Sequence, residues 1–158
     1  MLSEHANVLD MGWLSYELHK LTARLDRAAD QLLQAEMGTT YSRFLTLLAV
    51  QQGAQSQRGL AAWLGITEPS VSRMVGVLAA DGLLEVSTSP GSGNRRHLHL
   101  TAAGEALVKR SSHALEDRFT RLVESSGVPY DDYETYTLRL IKQLEAEGVG
   151  PIIERSGQ

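Results

Sequence analysis

The chain has 158 residues, 42% of them hydrophobic and 22% charged, with a formal net charge of −4. That apolar share suffices for a buried core, and the length points to one compact domain rather than a disordered tail. Cysteine is absent, which excludes disulfides, cysteine-based zinc sites, thiol nucleophiles and thiol redox sensing together.

In chain order, the opening segment repeats Leu14, Leu18, Leu21, Leu25, Ala28 and Leu32 at steps of three and four, one stripe of a helix. From Asp10 to about Ala35 that helix is roughly 39 Å long. Such a rod cannot easily hide its stripe within one small subunit, so a second copy is expected to cover it. An ordinary core helix is the plainer alternative. Met37-Gly38-Thr39-Thr40 ends this helix and caps the next, Tyr41 to Gln52, which turns Phe44, Leu45, Leu47 and Leu48 inward.

Two short helices follow. The first, about Arg58 to Leu64, buries Leu60, Ala61 and Leu64. Gly65 breaks it and Ile66 is expected to plug the corner. Thr67 is a good N-cap, and Glu68 and Pro69 suit a first helical turn. This second helix runs to about Ala80, burying Val71, Val75 and Leu78 and leaving Ser70, Ser72, Arg73 and Gly76 off the apolar face.

After Gly82 the period changes to two. Leu84 and Val86 alternate with Glu85 and Ser87, and Leu98 and Leu100 alternate with His97 and His99. Both sets are expected to put one face on the core. Between them Ser89-Pro90-Gly91-Ser92-Gly93-Asn94 is dense in turn formers, beside Arg95 and Arg96. Thr101 caps a long helix from Ala102 to about Glu124. Gly127-Val128-Pro129 breaks it, and a last helix from about Tyr130 to Glu147 carries Tyr133, Tyr136, Leu140 and Leu144 as a stripe.

Charge is unevenly spread. From Tyr41 to Ser112 seven basic residues face four acidic ones, a local balance of +3. The remainder has eight basic against fifteen acidic residues, or −7. A positive middle between acidic ends can present cations to phosphate while the molecule stays soluble.

The ordered middle segment is the strongest signal. Two short helices joined by a tight glycine turn, then a hairpin with a basic tip, make a winged helix-turn-helix. The fold class is therefore mainly α with a small β-hairpin wing, flanked by N- and C-terminal dimerisation helices. The second helix of the pair suits a DNA major groove. The expected DNA-contacting set is Arg58, Thr67, Glu68, Pro69, Ser70, Ser72, Arg73, Asn94, Arg95 and Arg96. Arg73 can offer a two-pronged fork to a guanine edge or pair with phosphate, and the wing arginines can reach the minor groove or its flanking phosphates.

The stretch from Leu60 to Val75 (Leu60-Ala61-Ala62-Trp63-Leu64-Gly65-Ile66-Thr67-Glu68-Pro69-Ser70-Val71-Ser72-Arg73-Met74-Val75), with Leu78 to Leu84 and Leu100-Thr101-Ala102-Ala103-Gly104, resembles the multiple-antibiotic-resistance regulator (MarR) family of bacterial transcription factors. The resemblance runs over nearly the whole chain. It implies a single MarR-like domain over residues 1–158, with dimerisation helices in 1–38 and 113–158 and a DNA-binding lobe in 41–112. It implies a homodimer that sets two recognition helices in successive major grooves of a pseudo-palindromic duplex. Leu14, Leu18, Leu21, Tyr133, Tyr136, Leu140 and Leu144 are the expected dimerisation contacts. It also implies an effector cavity for a small aromatic or phenolic anion. The sequence departs from the family at the wing, where Ser92, Gly93 and Asn94 replace the usual acidic residues. Val86 also stands in place of a common arginine.

Trp13, Tyr16, Tyr41 and Phe44, with His19 or His113 to engage an anion, are the candidate effector residues, and plain core packing of the aromatics is the alternative. His97 and His99 share a strand face and could form half a metal site, but no further ligands stand nearby. No phosphate-cradling glycine loop, His-Glu-x-x-His pair or Gly-x-Ser-x-Gly elbow occurs, so neither an enzyme nor a cofactor is expected. No apolar run nears the roughly 18 residues of a membrane span, and Met1-Leu2-Ser3-Glu4-His5 lacks a basic signal region, so a cytoplasmic protein is expected. The function expected is a ligand-responsive transcriptional regulator, a repressor before an activator. The alternatives are a winged-helix protein-interaction module without DNA binding, and a constitutive DNA binder without effector.

Overall fold

The structure is a computed structural model that describes residues 13–88 and 96–149. Among the described residues six helices and one strand pair follow in the order α1 (Leu14–Met37), α2 (Tyr41–Gln51), α3 (Gln57–Leu64), α4 (Glu68–Ala80), β1 (Leu84–Thr88), β2 (Arg96–Leu100), α5 (Ala102–Ser126) and α6 (Tyr130–Ala146).

Local chemistry sets the boundaries. Gly38 ends α1 at φ 64° and Gly65 ends α3 at φ 65°, the left-handed conformation that costs glycine nothing. Hydroxyls start α2, α3, α4 and α5. Thr40 accepts from Arg43 N–H (3.2 Å), Ser56 from Gly59 N–H (3.0 Å) and Thr101 from Gly104 N–H (3.0 Å). Each satisfies an amide that the first turn leaves without a partner. Asp30 on α1 accepts from the Tyr41 N–H at 2.8 Å and so fixes the α1–α2 corner.

The core gathers Leu33, Phe44, Leu47, Leu60, Val71, Val75, Leu78, Leu84, Leu98, Leu107 and Val108 from every element but α6. Leu33, off the stripe read from the sequence, is the α1 residue that is fully buried. The hairpin is antiparallel in the register Leu84↔Leu100, Glu85↔His99, Val86↔Leu98, Ser87↔His97 and Thr88↔Arg96. Leu98 N–H also donates to Gln55 O at 3.0 Å, holding β2 to the loop before α3. At the base of the wing, Thr101 Oγ1 donates to Gly82 O (2.7 Å) and Thr101 N–H to Leu83 O (3.2 Å).

Two expectations about buried apolar residues are corrected. Val86 is 40% exposed although its cross-strand partner Leu98 is buried. Only Leu84 of β1 reaches the core, so the strand leaves the lobe before Val86. Ile66 is 41% exposed. Its N–H closes the α3 terminus on Ala61 O at 3.1 Å while its side chain stays outside, so the corner is held by backbone rather than by an apolar plug.

The outer helices are unlike the lobe. α6 has no buried residue. It is held to α5 by Tyr130 and Tyr133 against Phe119 and by the Tyr130 hydroxyl donating to Glu116 Oε1 at 2.7 Å. That hydrogen bond is the main reason the Tyr130 phenol is pushed above its usual pKa. α5 runs unbroken past residue 113 and packs on both α1 and α2.

Candidate nucleic-acid interface

The first turn of α4 is a presented surface. Val71, Val75 and Leu78 are buried against the lobe, which leaves Glu68, Pro69, Ser70, Ser72 and Arg73 exposed on the other side. Thr67 caps the helix: its hydroxyl lies 3.0 Å from Ser70 Oγ and 3.4 Å from Ser70 N. Ser70 is thus partly committed within the turn, whereas Ser72 and Arg73 are free to meet a ligand. Arg73 has no ion-pair partner among the described residues. Pro69 has no N–H and the Ser70 N–H is taken by the Thr67 cap, so the exposed Arg73 guanidinium, rather than open backbone amides, is the group suited to phosphate and base edges.

Arg58 on α3 and Arg96 at the start of β2 are also exposed. Asn94 and Arg95 lie outside the described residues. His99 pairs across from Glu85 and His97 from Ser87, and the two imidazoles stack at 6.4 Å. Among the described residues no group of three or more His, Cys, Asp or Glu is placed to hold a metal ion.

Sequence reasoning missed one positioning contact. Arg43 in the first turn of α2 forms an ion pair with Asp81, the C-cap of α4. This ties the far end of the presented helix to the lobe. The partners are 38 residues apart, and no spacing rule links positions at that distance.

The candidate effector residues do not assemble around one cavity. A cavity of about 160 Å³ lies between α1, α2 and α5, lined by Leu25, Asp26, Tyr41, Leu115, Arg118 and Phe119 among others. Tyr41 is the one candidate that lines it. Burial, and then the Asp26 carboxylate, push the Tyr41 phenol above its usual pKa, so it remains a neutral donor. Phe44 stacks on Tyr41 at 6.1 Å but sits in the core. Trp13 and Tyr16 are 59% and 57% exposed, and His19 and His113 are exposed as well.

The expected dimerisation residues are uncovered in the single chain. Leu14, Leu18 and Leu21 on α1 and Tyr136, Leu140 and Leu144 on α6 are all exposed, as are Leu138 and Ile141 beside them. Leu21 and the half-buried Tyr133 meet at an apolar cavity of about 250 Å³ with Phe119 and Val123. Among the described residues no helix is long and apolar enough to cross a membrane.

The helix pair with its hairpin and the presented α4 turn define a winged helix-turn-helix protein. Residues 37–93 match the model of the MarR family. The HTH-type transcriptional regulator PetP of Rhodobacter capsulatus is 30% identical over 106 residues, which are 67% of this chain and 61% of PetP. The fold matches wild-type MarR from E. coli with a TM-score of 0.69 at 21% identity, covering 83% of this chain and 96% of MarR. It also matches the Staphylococcus aureus MepR–DNA complex with a TM-score of 0.64 at 25% identity, covering 84% and 94%. A cysteine-to-serine mutant of E. coli MarR complexed with operator DNA gives 0.68 at 21% identity, covering 83% and 93%. Over residues 37–93, which hold the winged helix-turn-helix, this chain is of the MarR family.

Proposed function

We propose that this protein is a DNA-binding transcription regulator that acts as a homodimer in the cytoplasm and represses from a pseudo-palindromic operator. The observation that carries the reading is the N-terminal half of α4: Ser72 and Arg73 are exposed, and Arg73 is unpaired among the described residues, on a helix whose opposite face is locked in the core. Solved relatives named as MarR with operator DNA and MepR with DNA support it. The apolar faces of α1 and α6 supply the dimer contact, which sets two α4 helices about one turn of B-DNA apart, roughly 34 Å. A small aromatic anion in the Tyr41 cavity, with Arg118 at its wall, regulates binding by favouring a dimer with another spacing.

Arg73→Ala tests the site. Losing a two-pronged contact to a base edge is expected to cost about 1–3 kcal/mol, or roughly ten- to hundredfold in affinity, with relaxed sequence preference. Competition binding against operator and random duplexes measures both. A variant that binds and discriminates like the parent would remove α4 from the interface. Alanine at Arg95 and Arg96, by contrast, is expected to flatten the salt dependence more than the sequence preference.

A further inference from the structure

A second cavity, of about 330 Å³, lies where the α1–α2 corner meets the end of α4 and the first turns of α5. It shares no lining residue with the Tyr41 cavity. Thr39, Arg43, Asp81 and Arg110 form its polar wall, and Met37 and Leu107 contribute apolar surface. Thr39 is only 4% exposed, yet its Oγ1 has no hydrogen-bond partner among the described residues. The Arg43 Nε is also buried without a partner among the described residues, although Nη2 of the same guanidinium donates to Asp81. A buried donor gives up its water without return unless an acceptor meets it, so two such donors around one cavity suit an acceptor there. Arg110 is exposed at the wall and has no ion-pair partner among the described residues. Two guanidiniums against one carboxylate leave the wall with a net positive charge.

We propose that this cavity binds a small oxyanion, a carboxylate or phosphate group on a compact apolar body. The anion accepts from Arg43 Nε–H and from the Thr39 hydroxyl, and pairs with Arg110. Charge-assisted hydrogen bonds of this kind are the strong ones, and the volume suits a metabolite-sized ligand. Arg43 is also the tether to Asp81 at the end of α4, so the anion competes with Asp81 for one guanidinium and loosens the hold of α2 on the presented helix. The effect on DNA rests on the function proposed above. The binding does not.

Calorimetric titration of the purified full chain with butyrate, with inorganic phosphate and with butylamine tests the site without DNA, so its failure leaves the DNA-binding reading untouched. Saturable binding of one equivalent per chain is expected for at least one oxyanion and none for butylamine, and the two anion arms separate carboxylate from phosphate. Arg110→Gln is expected to weaken binding about tenfold and Thr39→Val about three- to tenfold, through loss of one charged and one neutral donor. Asp81→Asn is expected to strengthen it about threefold or more by removing the competing carboxylate. Circular dichroism confirms that each variant is folded. Should one variant fail to fold, the other two still probe the same wall. Absence of saturable binding, binding unchanged by Arg110→Gln and Thr39→Val, or binding weakened by Asp81→Asn would each overturn the proposal.

Discussion

Gly104→Ala is expected to destabilise the protein by roughly 3 kcal/mol or more, against the gain of about 1 kcal/mol that alanine brings to an open helical position. A Cβ at Gly104 would stand 2.0 Å from the Leu83 carbonyl oxygen and 3.1 Å from its carbon. Neither atom is the end of a flexible side chain. The Leu83 carbonyl accepts from Thr101 N–H, and Gly82 O accepts from Thr101 Oγ1. Moving that backbone therefore opens the cap of α5 and the base of the wing together. Gly76, on the exposed side of α4, is the control: a Cβ there meets nothing within 4 Å, so Gly76→Ala is expected to stabilise by about 0.5–1 kcal/mol. Urea unfolding of the two variants should move the midpoint in opposite directions. A Gly104→Ala protein as stable as its parent would show that the α5–wing contact is looser than described.

Leu140→Asp is the second large effect, and it falls on assembly rather than folding. Leu140 is 58% exposed in the single chain, so the substitution should change the stability of the subunit by no more than about 0.5 kcal/mol. In a dimer closed by α1 and α6 the same position is covered, and burying an unpaired carboxylate costs several kcal/mol. The dimer dissociation constant is expected to rise by about a hundredfold or more. Sedimentation equilibrium of parent and variant reads this directly. An unchanged association would place the dimer contact elsewhere.

The parts of the fold that were legible in the sequence are those governed by near neighbours. Thr67, Glu68 and Pro69 marked the start of α4 and Asp81-Gly82 its end, because caps act within one turn. Alternation in the two strands put Leu84 with Val86 and Leu98 with Leu100 on one face each, and the register sets Leu84 against Leu100 and Val86 against Leu98. What alternation cannot encode is depth. It assigned Val86 to the inner face, but only Leu84 of β1 reaches the core, while Leu98 across from Val86 stays buried on the other strand. Ile66 was misplaced for a related reason, since a helix terminus can be closed by its own backbone.

The candidate effector set shows a second limit. Trp13, Tyr16 and Tyr41 were grouped by residue type, but the cavity takes α1 from Leu25 to Ala29. That is nine residues, or roughly 14 Å of helix, beyond Tyr16. Aromatic composition alone does not place residues along a rod. Nor could sequence spacing connect Arg43 to Asp81 or expose the buried hydroxyl of Thr39, since both depend on how α2 settles against α4 and α5.

The central claim is that two chains present paired α4 helices to one duplex. Sedimentation of the purified protein with DNA from upstream of its own gene, over a series of salt concentrations, tests it most directly. The account predicts two chains per duplex, preference over a random duplex of equal length, and an affinity that falls steeply as salt rises. One chain per duplex, or equal binding to both DNAs at every salt concentration, would contradict it.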